Sequence, residues 1–222
     1  MKVLSFDLSS VSTGITFADI KDGKIIFIKT FSITPKVSKT ESAKDLGFLT
    51  SEKNEKTNIR SWVKFKGEVV SATEKKKRDV AVRNECNAKI KKHIASEITE
   101  IINGVQPDLI LVERNESFNG VLTTKFLAEI RGILEGAAVK QPIIQYSVSE
   151  IRKKFDLAKM TKEYVSKLLP KELKGKKDIT KCVLKDYLER KYNVVCSNTD
   201  ESDSLAVFDH YFEEVVKNEI NS

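Results

Sequence analysis

Four acidic residues stand at positions where a carboxylate is costly or is paired with a second carboxylate. Asp7 interrupts an apolar run near the N-terminus, and Glu113 ends the apolar run LILVE. Asp200 and Asp203 are three residues apart, a spacing that places both on one face of a helix. Carboxylate oxygens are the ligands that Mg²⁺ takes in proteins, and two divalent ions about 4 Å apart suit in-line hydrolysis of a phosphodiester. The four residues are therefore candidate ligands of a hydrolytic metal site.

Each of these carboxylates, taken alone, also has an ordinary structural explanation. Asp7 could accept hydrogen bonds from a turn, Glu113 could be the charge that ends a strand, and acids are common in the first turn of a helix. The order of the set favours the catalytic interpretation, because the first strand, a later central strand and the last helix can supply ligands to one site.

The elements that would position these residues follow from the hydrophobic pattern. Three consecutive strands separated by short links predict an antiparallel meander, and helices that alternate with two further strands predict an α/β arrangement. The predicted strands are 2–9, 14–20, 24–33, 109–113 and 142–146; the predicted helices are 80–103, 121–140, 148–158, 161–169, 178–190 and 200–217, the last capped by Asn198 or Thr199. This order predicts a mixed five-stranded sheet with helices on both faces, the order of the RNase H-like fold.

A basic insertion interrupts this order. Residues 36–80 have weak periodicity and many Lys, Ser, Thr and Glu side chains, so we expect a partly flexible insertion within a single domain that spans 1–222. The chain has a net charge of +7, and residues 36–93 hold 16 Lys and Arg against 8 Asp and Glu. Residues 150–190 hold 13 against 7. Two basic segments favour a polyanionic partner, although solvated, lysine-rich helix faces explain the same pattern.

Composition excludes several classes of protein. With 40% hydrophobic residues the chain can bury a core, but no run approaches the roughly 18 apolar residues of a membrane span. The scattered Cys86, Cys182 and Cys196 indicate a reducing compartment, and only two histidines are present, which argues against a zinc site. The N-terminus lacks the pattern of a signal peptide. We expect a cytoplasmic protein, in a bacterium or an infected host cell, with no membrane partner.

Four segments together resemble one known family. They are VLSFDLSSVSTGITFA (3–18), DLILVERNESF (108–118), FLAEIRGILEGAAVKQPIIQYSVSEIRKKF (126–155) and TDESDSLAVFDHYF (199–212). In their order and motifs they resemble the RuvC-like Holliday junction resolvases of bacteria, some phages and poxviruses. The resemblance covers most of the chain outside 36–80 and implies the RNase H-like fold.

The resemblance implies a role for each candidate residue. It implies that the carboxylates bind two Mg²⁺ ions per active site, with Mn²⁺ able to substitute. It also implies basic side chains at the scissile phosphate and an aromatic wedge at the junction, although a solvated helix face and simple packing explain these residues equally well. The metal ligands would be Asp7, Glu113, Asp200 and Asp203, and the DNA-binding residues Arg152, Lys153, Lys177, Lys181 and Phe118, with the choice between the last two lysines left open by the spacing.

The sequence departs from the family pattern at two places. Leu8 and Ser9 follow Asp7 where bacterial members usually have Pro and Gly, and Ser204 stands where Ala is usual. All are compatible with the site.

The function implied by the resemblance is a Mg²⁺-dependent DNA endonuclease. It would act as a homodimer, without a small-molecule cofactor, and resolve four-way junctions by paired symmetric nicks. A nuclease of the same fold that acts on flaps, forks or RNA–DNA hybrids is an alternative, and a non-catalytic junction-binding protein is another. An ATPase of the actin-like class would need a second glycine-rich phosphate motif, which is not evident.

Overall fold

The main sheet is mixed, as the sequence predicts. The computed structural model of the protein describes residues 1–9, 11–53, 60–114, 121–155, 157–166, 178–216 and 218. Its strands are β1 (Lys2–Asp7), β2 (Thr13–Lys21), β3 (Lys24–Ile33), β4 (Thr50–Lys53), β5 (Arg60–Val63), β6 (Leu109–Arg114) and β7 (Ile143–Ser147). The sheet has the order β3-β2-β1-β6-β7. Its first three strands form an antiparallel meander, and β6 and β7 run parallel to β1.

Two central strands bring two of the candidate carboxylates to the same edge of the sheet. The apolar residues of β1 and β6 are buried, as expected for central parallel strands covered on both faces. The last matched pair between them is Phe6 with Val112. Asp7 and Glu113 follow these residues directly, so both lie at the carboxyl end of the parallel pair.

The helices largely follow the predicted pattern, with shifted boundaries. They are α1 (Lys39–Asp45), α2 (Ala72–Val105), α3 (Val121–Ala137), α4 (Val148–Lys153), α5 (Leu157–Ser166), α6 (Ile179–Tyr192) and α7 (Thr199–Tyr211), and a π-helical turn (Phe212–Val216) continues α7. The helix predicted at 148–158 ends earlier, because the chain turns after α4 and buries Phe155 in the core. None of the described helices offers an apolar stretch long enough to cross a membrane.

The far end of α7 is held by a buried ion cluster. Asp209 is fully buried, and its carboxylate pairs with the ammonium groups of Lys154, at 3.1 Å, and Lys191. The Tyr192 hydroxyl donates to the same carboxylate at 2.6 Å. A buried charge requires such partners, so this cluster fixes the helix that carries two of the candidate carboxylates.

The chain divides into two compact units. Unit 1 consists of residues 1–34 and 97–222, and unit 2 of residues 35–96. Unit 2 contains α1, the β4–β5 hairpin and α2 up to its boundary. Its own core is formed by Ala43, Phe48, Trp62 and Val82.

Unit 2 overlaps residues 36–80, for which the sequence predicts an insertion. Its described residues include two helices and two strands, and α2 begins at Ala72 rather than at residue 80. The weak periodicity has a physical cause. Only a few widely separated apolar side chains form this small core. In α2, one of the buried positions is taken by Arg78, a cation, which interrupts the apolar pattern.

Candidate active site

Gly14 allows the first turn of α7 to lie directly against the sheet. Gly14 pairs with Asp7 across β1 and β2. A Cβ atom on Gly14 would lie 1.9 Å from the carbonyl oxygen of Asp200, a separation that no side chain could tolerate. Because Gly14 has no side chain, the backbone of Asp200 can approach the end of β1, where Asp7 lies.

Hydroxyl groups beneath α7 fix its rotation. The Ser5 hydroxyl donates to the carbonyl oxygen of Ser204 at 2.7 Å, and the hydroxyls of Thr16 and Ser204 are hydrogen-bonded at 2.9 Å. The three side chains are buried, where unpaired hydroxyls would be costly. Ser204 therefore contributes to positioning the helix. Sequence reasoning missed this network, since Ser and Thr in strands also occur as ordinary strand residues.

The N-terminus of α7 is capped by side chains on both sides. The Asn198 side chain accepts a hydrogen bond from the Glu201 N–H at 2.9 Å, so Asn198 is the cap of the two predicted alternatives. Its amide also donates to the Ser32 hydroxyl of β3 at 3.0 Å. The buried Glu201 carboxylate accepts from the Ser197 N–H at 2.8 Å. These bonds attach the start of α7 to the sheet, with Asp200 and Asp203 on its first turns.

Three of the four predicted carboxylates meet in one cluster. Asp7, Asp200 and Asp203 each offer an oxygen that lies within 4.8 Å of an oxygen of the other two. Such a set of hard oxygen donors fits a divalent cation like Mg²⁺. The cluster lies between the end of β1 and the start of α7.

The electrostatics of the cluster also favour a bound cation. Burial raises the pKa of the Asp7 carboxyl well above its usual value, and the neighbouring charges of Glu113, Asp203 and Asp200 raise it further. Burial raises the pKa of Asp203 as well, although Lys181 and Arg152 oppose that shift. Ionised carboxylates in these surroundings repel each other, and a cation relieves that repulsion.

Lys181 is a basic residue that the described structure brings into contact with the cluster. Its Nζ lies 2.5 Å from Oδ2 of Asp203. Burial alone would lower the pKa of the Lys181 ammonium, but the charges of Asp203, Asp7 and Asp200 outweigh burial and raise the pKa. Asp178 caps α6 by accepting from the Lys181 N–H at 3.1 Å, which fixes the backbone of this lysine.

Glu113 and Arg152 lie at the margin of the cluster. Glu113 does not belong to the close group of carboxylate oxygens found among the described residues, but its charge acts on Asp7. Glu113, Arg152 and Asp203 line one small cavity between β6, α4 and α7. A capping box of Ser147 and Glu150 begins α4 and so holds Arg152 at this place.

The other three DNA-binding candidates have no described contact with the cluster. Lys153 is exposed at the end of α4. Lys177 and Phe118 lie outside the described residues. Of the two lysines that the spacing left open, Lys181 is therefore the one with a described contact.

Comparison with known proteins is informative at the level of structure. No protein-family model and no curated protein sequence matches the chain. Among solved structures, it is similar to Thermus thermophilus RuvC in complex with a Holliday junction substrate, with a TM-score of 0.52 and 10% identity over 97% of this chain and 98% of that one. A second Thermus thermophilus RuvC structure matches with a TM-score of 0.50 and 9% identity, over 100% and 97% of the two chains. The chain has the RNase H-like fold of the RuvC resolvases.

Proposed function

We propose that the protein is a metal-dependent DNA endonuclease that resolves four-way junctions. The observation that carries this proposal is the meeting of Asp7, Asp200 and Asp203, with Glu113 at the margin, on the fold of RuvC. One of the solved RuvC structures is a complex with a Holliday junction, which supports branched DNA as the substrate.

The four carboxylates would hold two divalent cations, Mg²⁺ or Mn²⁺. Such cations would activate a water and stabilise the leaving 3′ oxygen, which gives 5′-phosphate and 3′-hydroxyl ends. The close group of Asp7, Asp200 and Asp203 would supply most of the ligands, and Glu113 would complete them from β6. Their positions at strand ends and at a capped helix start would hold these oxygens in place before a cation binds.

Lys181 would act on the phosphate rather than on the cation. Its raised pKa keeps the ammonium protonated at neutral pH. It lies among the carboxylates, so it can neutralise negative charge that builds up on the phosphate in the transition state. The exposed Arg152 and Lys153 on α4 would bind the DNA backbone beside the cut, without reading its sequence.

A cleavage assay tests the proposal. The substrate is a synthetic four-way junction beside linear duplex, flap, fork and RNA–DNA hybrid, with Mg²⁺ or EDTA. We expect Mg²⁺-dependent, symmetric nicks in the junction, and their loss in Asp203→Asn. Asp22→Asn is the matched control, because Asp22 is exposed in a turn with φ of 50°, a conformation that Asn adopts readily.

The other outcomes have separate meanings. Equal cutting of flaps, forks or hybrids would preserve the nuclease site and change the substrate. Tight junction binding without any product would reject catalysis and leave a binding protein. Loss of activity in Asp22→Asn as well would mean that the assay reports folding rather than the site.

A further inference from the structure

Unit 2 carries essentially all of the net positive charge of the chain. Its residues 35–96 include 16 Lys and Arg against 8 Asp and Glu, whereas the whole chain has a net charge of +7. The rest of the chain, which includes the candidate active site, is therefore close to neutral. The strongly basic charge of unit 2 by itself indicates a surface for a polyanion.

One turn of unit 2 combines this charge with an exposed aromatic side chain. Lys64, Phe65 and Lys66 follow β5 directly, and all three are exposed. The Phe65 side chain is 60% exposed, although unit 2 has an apolar core nearby in the chain that buries Phe48 and Trp62. Nucleic-acid-binding proteins use this combination, since lysines contact phosphates and an aromatic face stacks on a base.

The turn is held in place by a buried guanidinium. Arg78 of α2 donates to both carboxylate oxygens of Glu68, at 2.8 and 2.9 Å, and to the carbonyl oxygen of Trp62 at 2.9 Å. The Glu68 carboxylate in turn accepts from the Lys64 N–H at 2.6 Å. Arg78 is buried, so these charge-assisted bonds lie in a protected setting.

A glycine completes the turn. Gly67 has φ of 87°, a conformation that other residues rarely adopt, and it reverses the chain between Phe65 and Glu68. The hydrogen bond at Lys64 and the conformation of Gly67 therefore constrain the backbone on both sides of Phe65. A side chain that is exposed on a fixed turn can be presented to a ligand without a loss of conformational entropy in the backbone.

We propose that the Lys64–Phe65–Lys66 turn is a second DNA-contact site, in which the lysines bind phosphates and Phe65 stacks on a base left unpaired at a branch. It is distinct from the carboxylate cluster and does not take part in hydrolysis. The inference rests on the proposed function in taking branched DNA as the ligand. Charge complementarity favours DNA over an apolar protein surface, because the only large apolar group of the turn lies between two cations.

Equilibrium binding in EDTA tests the proposal without cleavage. The probes are a four-way junction with two unpaired bases at its centre and a duplex of the same length. Phe65→Ala should weaken junction binding about tenfold, within the range for loss of one base–aromatic stack, and leave duplex binding unchanged. Phe65→Tyr, which keeps the aromatic face, should bind like the parent.

Salt dependence separates the lysines from the aromatic ring. The double variant Lys64→Ala and Lys66→Ala should reduce the slope of log K against log salt by about 2, close to 0.9 per phosphate contact, on both probes. Phe65→Ala should keep the parent slope. Val69→Ala is the matched control, since Val69 is 98% exposed close to the same turn and carries no charge or ring.

The result that would overturn the proposal is parent-like affinity and slope in both test variants. The emission of Trp62, the sole tryptophan, reports whether unit 2 is folded in each variant. The cleavage assay tests the proposed function separately. If the parent cuts no substrate in Mg²⁺ but the Phe65 and lysine variants weaken binding in EDTA as expected, the nuclease proposal fails and this second site stands.

Discussion

Asp7 is the residue at which function and stability oppose each other most directly. The residue is partly exposed, and burial of its carboxyl together with three acidic neighbours raises the pKa well above 3.8. A carboxyl whose pKa is higher in the folded chain than in the unfolded chain makes folding less favourable as pH rises above the unfolded value. At neutral pH without a cation, the Asp7 carboxyl therefore destabilises the fold.

Replacing this carboxylate should stabilise the metal-free protein. We expect Asp7→Asn to raise the melting temperature in EDTA by about 2–4 °C, which corresponds to about 1 kcal/mol in a chain of this size. Mg²⁺ or Mn²⁺ should stabilise the parent but not the variant, and cleavage should be lost. Thermal unfolding with and without the cation measures both effects. A lower melting temperature in EDTA would contradict a repulsive cluster.

Lys181 offers a test of transition-state stabilisation. Lys181→Met should reduce single-turnover cleavage about 100-fold, in the range for removal of one electrostatic contact to a developing charge. The Mg²⁺ concentration for half-maximal rate should not increase, since the lysine competes with the cation for Asp203. Lys185→Met is the control on the same helix, because Lys185 pairs with Glu189 instead. Equal losses in both variants would contradict a specific role.

At the scale of elements, Gly14 determines whether α7 can reach the sheet. Gly14→Ala should abolish cleavage and destabilise the protein by about 1–3 kcal/mol, because the new methyl group meets the Asp200 backbone and the helix must move. Gly132→Ala is the control. Gly132 lies within α3 with free space around it, so alanine there should be neutral or stabilising by about 0.5–1 kcal/mol. Denaturant unfolding and cleavage of both variants measure the difference.

The turn of unit 2 predicts a defined response to acid. Hydrogen bonds from the Arg78 side chain and the Lys64 N–H lower the pKa of Glu68 from 4.5 to about 2. A lowered folded pKa contributes stability that is present above 4.5 and is lost as the pH falls from 4.5 toward 2. Trp62 emission should therefore report loosening of unit 2 in this window. Glu68→Gln should already loosen unit 2 at neutral pH, and an unchanged acid profile would contradict the prediction.

The sequence predicts the elements of the main sheet well for a simple reason. Strands such as β1, β3 and β6 are recognisable from their own apolar residues, and Lys24–Ile33 forms over the predicted range. The carboxylates are recognisable by residue type, because each interrupts or ends an apolar pattern. These features are local in the chain.

The features that the sequence does not predict depend on contacts between distant residues. The need for Gly14 arises from the approach of Asp200, and Ser204 matters because Ser5 and Thr16 meet it from two strands. The fold of unit 2 uses a buried Arg78 side chain, and arginine is seldom buried. Neither spacing nor propensity contains this information.

At the scale of the whole molecule, the proposed activity requires two active sites for each junction. A four-way junction has two-fold symmetry, so we expect two chains per junction in sedimentation or mass measurements. Mixtures of the parent with Asp203→Asn should then release nicked, unresolved junctions, because each mixed pair retains one active chain. Release of fully resolved products in proportion to the parent alone would contradict paired action within a dimer.

The helix α2 has a consequence for how this protein can be shortened. It runs without interruption from Ala72 to Val105, while the boundary between the units falls at Glu97. The sequence boundary between the two units therefore falls inside a helix rather than in a loop. Any natural or engineered loss of residues 35–95 must create a new helix start, and Ser96, the last residue of unit 2, followed by Glu97 is a residue pair suited to cap it.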